Sequence, residues 1–454
     1  MLASNPEIVG VNFIEQEMIL PSMQLSKGGG PSWQNHTFWY LVQISQVLVL
    51  PQKVREMAGD AVNITVIDRK TYLLFVPNIP MEVFENRNPL YSMHMPLIPA
   101  MKEDHMDFIQ GDVQGIDVET QTVEFLPVER LGAAVNRIHY DYLIIAVGAR
   151  LAYDKIEGFH EYGHTVSDTY YGNRLRHYLY HEYKGGPVAI GSARFHQGTK
   201  TRDLVPTAEA ACEGPPVEVM LTMGNWLQSR NLGGPDKVTV FTPAEWIAED
   251  AGQGIVHALL AKAGTMGFHY RNNTHDITRI TKDGIEFANG PSLDAELKII
   301  FPDWVPHAFM KDLPISDDVG FVITDMTMRN PKYPNVFACG DAAAVTVPKL
   351  GILAHMGAEV AARQIAKDVG LMNKELADQP MKPIVDCIGD MGNNKAFYIS
   401  SNTWYGGNRE VFRMGHVPYL LKVQYKEMFF RTKGKVPDWG IPVADFLTEM
   451  LTKG

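Results

Sequence analysis

The sequence predicts an α/β fold of two βαβ units on parallel sheets, followed by a basic amphipathic C-terminal segment. Residues 140–148, YDYLIIAVG, form a nearly continuous apolar run closed by glycine, as in a strand buried on both faces of a parallel sheet. From residue 186 a second unit reads PVAIG, then a helix over 215–230, then KVTVFTP, which is strand–helix–strand order. From Trp404 onward Arg409, Arg413, Lys422, Lys426, Arg431, Lys433 and Lys435 alternate with Phe412, Tyr419, Leu420, Val423, Phe429 and Phe430. That pattern predicts either a packed helix or hairpin with solvated cations, or an interfacial membrane segment.

The remaining elements follow in order. Residues 62–68, VNITVID, are a β-branched run ending in an acid, and 106–113 and 122–125 continue as strands. A third section gives strands at 321–325 (FVITD) and 335–341 (NVFACGD), then a helix over 349–369. A length of 454 residues suits two or three domains. With 41 Lys+Arg against 52 Asp+Glu the net charge is -11, so nucleic acid is excluded as a partner and any anionic surface must be met by a local patch. Three cysteines at 212, 339 and 387 supply neither a secreted disulfide framework nor a C-x-x-C zinc pair. The first residues lack a secretory signal, so the chain is expected inside the cell, and residues 31–52 are too interrupted to span a membrane.

Several residues point to chemistry. Asp341 stands after a strand and a glycine, just before a small-residue stretch and a helix; a carboxylate there can accept hydrogen bonds from polyol hydroxyls. Asp68 ends the strand 62–68, where a nucleotide-binding unit places an acid on the ribose. Cys212, at a helix start marked by Pro215 and Pro216, is either a nucleophile with a stabilised thiolate or a small buried filler. Glu213 beside it reads as an exposed helix-start carboxylate, with proton acceptance the alternative. The second unit keeps one fingerprint glycine, Gly191, and ends its second strand in Thr242 and Pro243 where NAD binding wants an acid, so a nicotinamide is poorly accommodated. The first unit lacks its G-x-G-x-x-G turn altogether. Residues 36–48, HTFWYLVQISQVL, contain no glycine, and Gly28, Gly29 and Gly30 lie too far upstream. Either the pyrophosphate is held in an unusual way or residues 1–50 are not in the native reading frame.

The phrases VAIGSARFHQG, ACEGP, VTVFTPAEW, NVFACGDAA, VPKLG and SNTWYGGN together resemble those of sulfide:quinone oxidoreductases of the archaeal type. The resemblance implies an α/β fold with two Rossmann-like domains of the two-dinucleotide-binding flavoprotein type. Residues 1–155 and 318–385 would form a discontinuous FAD-binding domain, 156–317 the second Rossmann-like domain, and 386–454 a quinone- and membrane-facing segment. It implies that Cys212 and Cys387 are the redox pair, attacked by sulfide as a disulfide or trisulfide, and that FAD is held around Asp68, Pro77, Gly148, Asp341, Lys349 and Gly351. Two electrons would pass to a membrane quinone near Lys349 and the tail, in a peripheral protein at the cytoplasmic face of the cell membrane that can form a homo-oligomer. A third family cysteine falls on Ser167, which cannot form a thioether to the flavin, and Cys339 takes a structural role. The alternatives are a type-II NADH:quinone dehydrogenase-like flavoprotein and a non-catalytic remnant with impaired FAD binding.

Overall fold

The computed structural model describes the backbone of residues 36–41 together with residues 48–128, 130 and 132–435. In chain order the strands that position the site are β1 (His36–Leu41), β2 (Val62–Asp68), β3 (Asp107–Asp117), β4 (Thr122–Pro127), β5 (Asn136–His139), β6 (Tyr142–Ile145), β7 (Gly163–His164), β8 (Val188–Ser192), β9 (Val238–Phe241), β10 (His269–Arg271), β11 (Leu297–Phe301), β12 (Val336–Ala338), β13 (Val385–Gly392), β14 (Lys395–Ser401) and β15 (Glu410–Gly415). The helices are α1 (Val49–Ala58), α2 (Gly214–Ser229), α3 (Gly351–Asp368) and α4 (His416–Arg431).

The first sheet runs β12-β6-β1-β2-β3-β4-β5, parallel from β12 to β3 and antiparallel beyond. Its interior strand β6 is buried on both faces, which explains the unbroken apolar run. The second sheet, β7-β11-β8-β9-β10, is parallel throughout. A third, antiparallel sheet of β13, β14 and β15 carries Cys387 and is covered by α2 and α4.

The N-terminal unit keeps its strand. β1 lies in register between β2 and β6, with Leu41 opposite Ile67 and Ile145, and α1 follows and packs on α3. A strand followed by a helix, as in a dinucleotide unit, is therefore present in the described residues. Residues 42–47 and Gly28–Gly30, where the glycine fingerprint was sought, lie outside the described residues.

Two sequence expectations change, and the tail takes one of its expected forms. Residues 321–325 make isolated bridges rather than a strand, because the Asp317 carboxylate accepts N–H bonds from Val319, Gly320 and Phe321 and turns the chain back. Gly191 is required by packing rather than by a phosphate: a Cβ there would stand 2.2 Å from the Phe241 carbonyl oxygen. The tail is a strand and a helix joined into the third sheet, and no helix among the described residues is long and apolar enough to cross a membrane.

Candidate active site

Cys212 ends the loop that leads into α2, and the Gly214 N–H at the start of that helix donates to its sulfur. Cys387 arrives from β13, which packs along α2, so that a Cβ on Gly214 would meet the Cys387 Sγ at 3.0 Å. Two cysteines far apart in sequence thus share one helix N-terminus. Both are half-buried and free. Burial dominates their acidity: it pushes Cys387 up to about 12 and Cys212 well above the usual thiol range, with the charges of Asp250 and Cys387 adding to the latter. Both readings of Cys212, nucleophile and buried small residue, stay open at this point, with burial opposing its thiolate and the Gly214 N–H favouring it.

Glu213 is corrected. It is 3 % exposed, not solvated, because the chain turns inward before α2 and lays its carboxylate against the end of β9. There its Oε2 accepts the Ala248 N–H at 2.8 Å, while Oε1 has no hydrogen-bond partner. Burial raises it to about 8. Asp250, 5 % exposed, is raised by burial to about 6.

The loop before α3 closes the other side. The Lys349 N–H donates to the Ala211 carbonyl at 2.6 Å, tying this loop to the residue preceding Cys212, and Tyr405 donates its hydroxyl proton to the Val347 carbonyl at 3.1 Å. Lys349 is buried, its Nζ 2.8 Å from the Ala343 carbonyl and 4.2 Å from the centre of the Phe321 ring. It balances the buried Asp341, which burial raises to about 6, and is itself lowered by burial to about 8. Gly351 opens α3 with open space where a side chain would be. Cys339 is fully buried, its thiol donating to the Gly357 carbonyl at 3.4 Å. Ser167 pairs with the Thr165 hydroxyl at 2.9 Å.

The residues fit a flavin dinucleotide. Asp341 Oδ1 is buried with no hydrogen-bond partner, as an acceptor awaiting a ribityl hydroxyl would be. Asp68, at the end of β2, shares a groove with Gly111, Val113, Val147, His307 and Phe309, and Gly148 follows Val147 with φ 70°. Asp68 thus lines a groove next to Gly148, while the loop carrying Lys349 is tied to the residue before Cys212.

Sequence reasoning missed the ion pair that ties the tail to the cysteines. Lys422 of α4 is 4 % exposed and donates to Glu218 of α2 at 2.6 Å, and to the Pro77 and Ile388 carbonyls at 3.2 Å each. Pro77 thereby joins the residue after Cys387. Each was marked by a lone charge inside an apolar run, VEVMLTM and YLLKVQY, which has to be paired if buried. Lys426 likewise meets the buried Glu82, and Lys433 and Lys435 meet Glu103 and Asp104. Phe75 packs against Tyr425, Phe429 and Phe430. The exposed stripe of α4 is His416, Leu420, Gln424, Glu427 and Arg431, polar apart from Leu420. The described part of this stretch is a packed helix whose cations and aromatics are taken up by the body.

In the second unit Arg194 lies across the carboxyl ends of the strands, donating to the Pro243 and Thr274 carbonyls at 3.3 Å and pairing with Glu209. Thr242 is fully buried and its hydroxyl accepts the Ala244 N–H. A guanidinium and a capped threonine thus stand just beyond the ends of β8 and β9.

No protein-family model matches the chain. It is 23% identical over 398 residues to the sulfide-quinone reductase of Aquifex aeolicus, covering 81% of this chain and 84% of that protein. It is 23% identical over 258 residues to the mitochondrial sulfide:quinone oxidoreductase of Dictyostelium discoideum, covering 55% of this chain and 54% of that protein. Among solved structures, the sulfide:quinone oxidoreductase from Aquifex aeolicus superposes with a TM-score of 0.75 at 21% identity, over 91% of this chain and 95% of that one. NDH2 from Plasmodium falciparum in complex with NADH superposes with a TM-score of 0.63 at 13% identity, over 92% and 98%.

Proposed function

We propose that this relative of the sulfide:quinone oxidoreductases is a flavin-dependent oxidoreductase that oxidises sulfide at Cys212 and Cys387 and delivers two electrons, by way of FAD, to a quinone. The observation that carries the reading is the convergence of the two cysteines at the N-terminus of α2, beside the loop that precedes α3.

Hydrosulfide attacks one sulfur of a bond joining the two cysteines, directly or through a bridging sulfur. That bond breaks, a persulfide remains on one residue, and the other leaves with the electron pair as thiolate. The Gly214 N–H donates to the Cys212 sulfur, while Glu218 and Lys422 set the charge around Cys387. When bound, FAD supplies the two-electron acceptor that such a thiolate needs. For that cofactor Asp341 offers a carboxylate oxygen to the ribityl chain, α3 offers unpaired N–H groups at Gly351, and Asp68 offers an acceptor to the adenosine ribose. Pro77, held by Lys422, is assigned to the edge of the flavin site.

The quinone implies a membrane. We propose that the C-terminal segment, residues 386–454, makes the peripheral contact, through the basic and apolar residues that alternate from Trp404 onward. The cytoplasmic face of the cell membrane is the side proposed. An NADH-oxidising reading is disfavoured by Arg194 and Thr242 in the second crevice. The test is the visible spectrum of the FAD-loaded protein, taken anaerobically after sulfide and, separately, after NADH: bleaching by sulfide alone supports the proposal, and bleaching by NADH alone selects the other class.

A further inference from the structure

Cys387 is carried by a strand whose register is not set by its sheet alone. Against β14, β13 pairs regularly from Val385 to Asp390 and then shifts register between Asp390 and Gly392, at Met391. The groups that meet this irregularity come from α2. Gly214, Glu218, Thr222 and Asn225 recur four, four and three apart, which lines them up on one face of the helix. Each has its counterpart farther along the strand. A Cβ on Gly214 would stand 3.0 Å from Cys387 Sγ, and a Cβ on Gly389 would stand 3.1 Å from that of Glu218. The Thr222 hydroxyl lies 2.9 Å from the Asp390 carbonyl, and the Asn225 amide donates to the Met391 carbonyl. Asn225 Oδ1 then accepts the Asn393 amide at 2.9 Å, and Gly392, with φ 77°, passes so near that a Cβ there would be 3.0 Å from Asn225 Cβ. Helix and strand therefore advance together, over about 16 Å on one side and about 13 Å on the other.

We propose that Thr222 and Asn225 are positioning residues for the cysteine pair: by fixing the register of β13 on α2 they hold the Cys387 sulfur at the start of the helix, where Cys212 also lies. The proposal rests on the pairing of the two cysteines in the functional reading above. A strand displaced by one residue would carry Cys387 about 3.3 Å along the helix and turn its side chain to the opposite face. A bond between the sulfurs tolerates no such change, since it needs Cβ atoms about 3.5–4.5 Å apart. Neither side chain touches a sulfur; both act through the β13 backbone, at the two carbonyls that flank the register shift. Thr222 is 3 % exposed, and its oxygen is also 2.9 Å from the Glu218 carbonyl of its own helix, so its single proton serves both carbonyls. Valine would keep the shape and remove that link. Ordering the strand before the sulfurs meet lowers the entropy lost when they join, which is how remote contacts raise the effective concentration of one group at another.

The test is the equilibrium of the full-length protein in anaerobic glutathione buffers, for wild type, Thr222→Val, Thr222→Ser and Asn225→Ala, read after acid quench and alkylation by the mass of the Cys212 and Cys387 peptides. One glutathione disulfide becomes two glutathione thiols for each protein pair joined, so the ratio gives the effective concentration of one cysteine at the other. Thr222→Val and Asn225→Ala are each expected to lower it about 10-fold, and Thr222→Ser, which keeps the hydroxyl, to stay within about 2-fold of wild type. Residues that only stabilised the fold would lower the urea midpoint and leave this ratio unchanged in the folded protein; that result overturns the proposal, as does a loss in Thr222→Ser equal to that in Thr222→Val. Should Thr222→Val not fold, Asn225→Ala, at a half-buried position, decides by itself. A wild-type pair that joins in no buffer overturns the functional reading and this proposal with it, whereas a pair that joins equally well in wild type and variants overturns this proposal alone.

Discussion

Replacing Lys422 by methionine asks whether the tail helix is part of the cysteine site. The change keeps most of the buried stem and removes one ammonium that donates to Glu218 at 2.6 Å and to the Pro77 and Ile388 carbonyls at 3.2 Å. Removing one partner of a buried ion pair costs about 3–5 kcal/mol. Two carbonyls also lose a donor, which raises the cost. Against this, burial already holds the Glu218 carboxyl above its usual range despite Lys422, so it takes up a proton readily once the cation is gone. A carboxyl whose folded value lies above its unfolded value stabilises the fold fully only below the unfolded value, and that contribution is lost as pH rises toward the folded one. The loss should therefore be about 3 kcal/mol at mildly acid pH and approach about 5 kcal/mol at mildly alkaline pH. Urea unfolding of the variant at both ends of that range gives the numbers, and Glu218→Gln combined with Lys422→Met should cost less than the two single changes summed. A loss below about 1 kcal/mol, or one that shrinks as pH rises, would refute the reasoning.

Cys212→Ala and Cys387→Ala should each abolish sulfide-dependent quinone reduction while retaining flavin, and Cys339→Ala should keep most of the activity; near wild-type turnover by either of the first two would end the two-cysteine account. Deleting residues from Val411 should release the protein from lipid vesicles, and because it also removes β15 and Lys422 it should impair the sulfur step as well. Vesicle sedimentation and stopped-flow absorbance separate the two. Exchanging residues 42–47 for a G-x-G-x-x-G turn between β1 and α1 should raise FAD occupancy, read by flavin titration, and equal binding before and after would mean that this chain holds the pyrophosphate in its own way.

Elements that bury both faces of a sheet were legible, because residues 142–145 and 188–192 leave few alternatives for such apolar runs. The α2 start was placed within a residue by its two prolines. β1 was missed because HTFWYL was judged by the glycines absent after it, although its aromatic and β-branched residues suit a strand. The burial of Glu213 was not legible, since it depends on the chain after β9 bringing the Ala248 N–H to its carboxylate. Lys422 was read as part of a basic face when its isolation among apolar neighbours marked it as a buried, paired cation. Asp341 and Lys349 were found together by phrase, yet only the packing shows that the lysine serves the carboxylate.

The most direct test of the central claim is single-turnover titration of oxidised, FAD-loaded protein with sulfide in the absence of quinone, with the two cysteines mapped by mass after rapid alkylation. The account predicts a persulfide on either Cys212 or Cys387 with an alkylatable thiol on the other before the flavin bleaches, and, as it bleaches, loss of that thiol to a Cys212–Cys387 pair bridged by the added sulfur. Bleaching with both cysteines unchanged, or sulfur found only on Cys339, would contradict it.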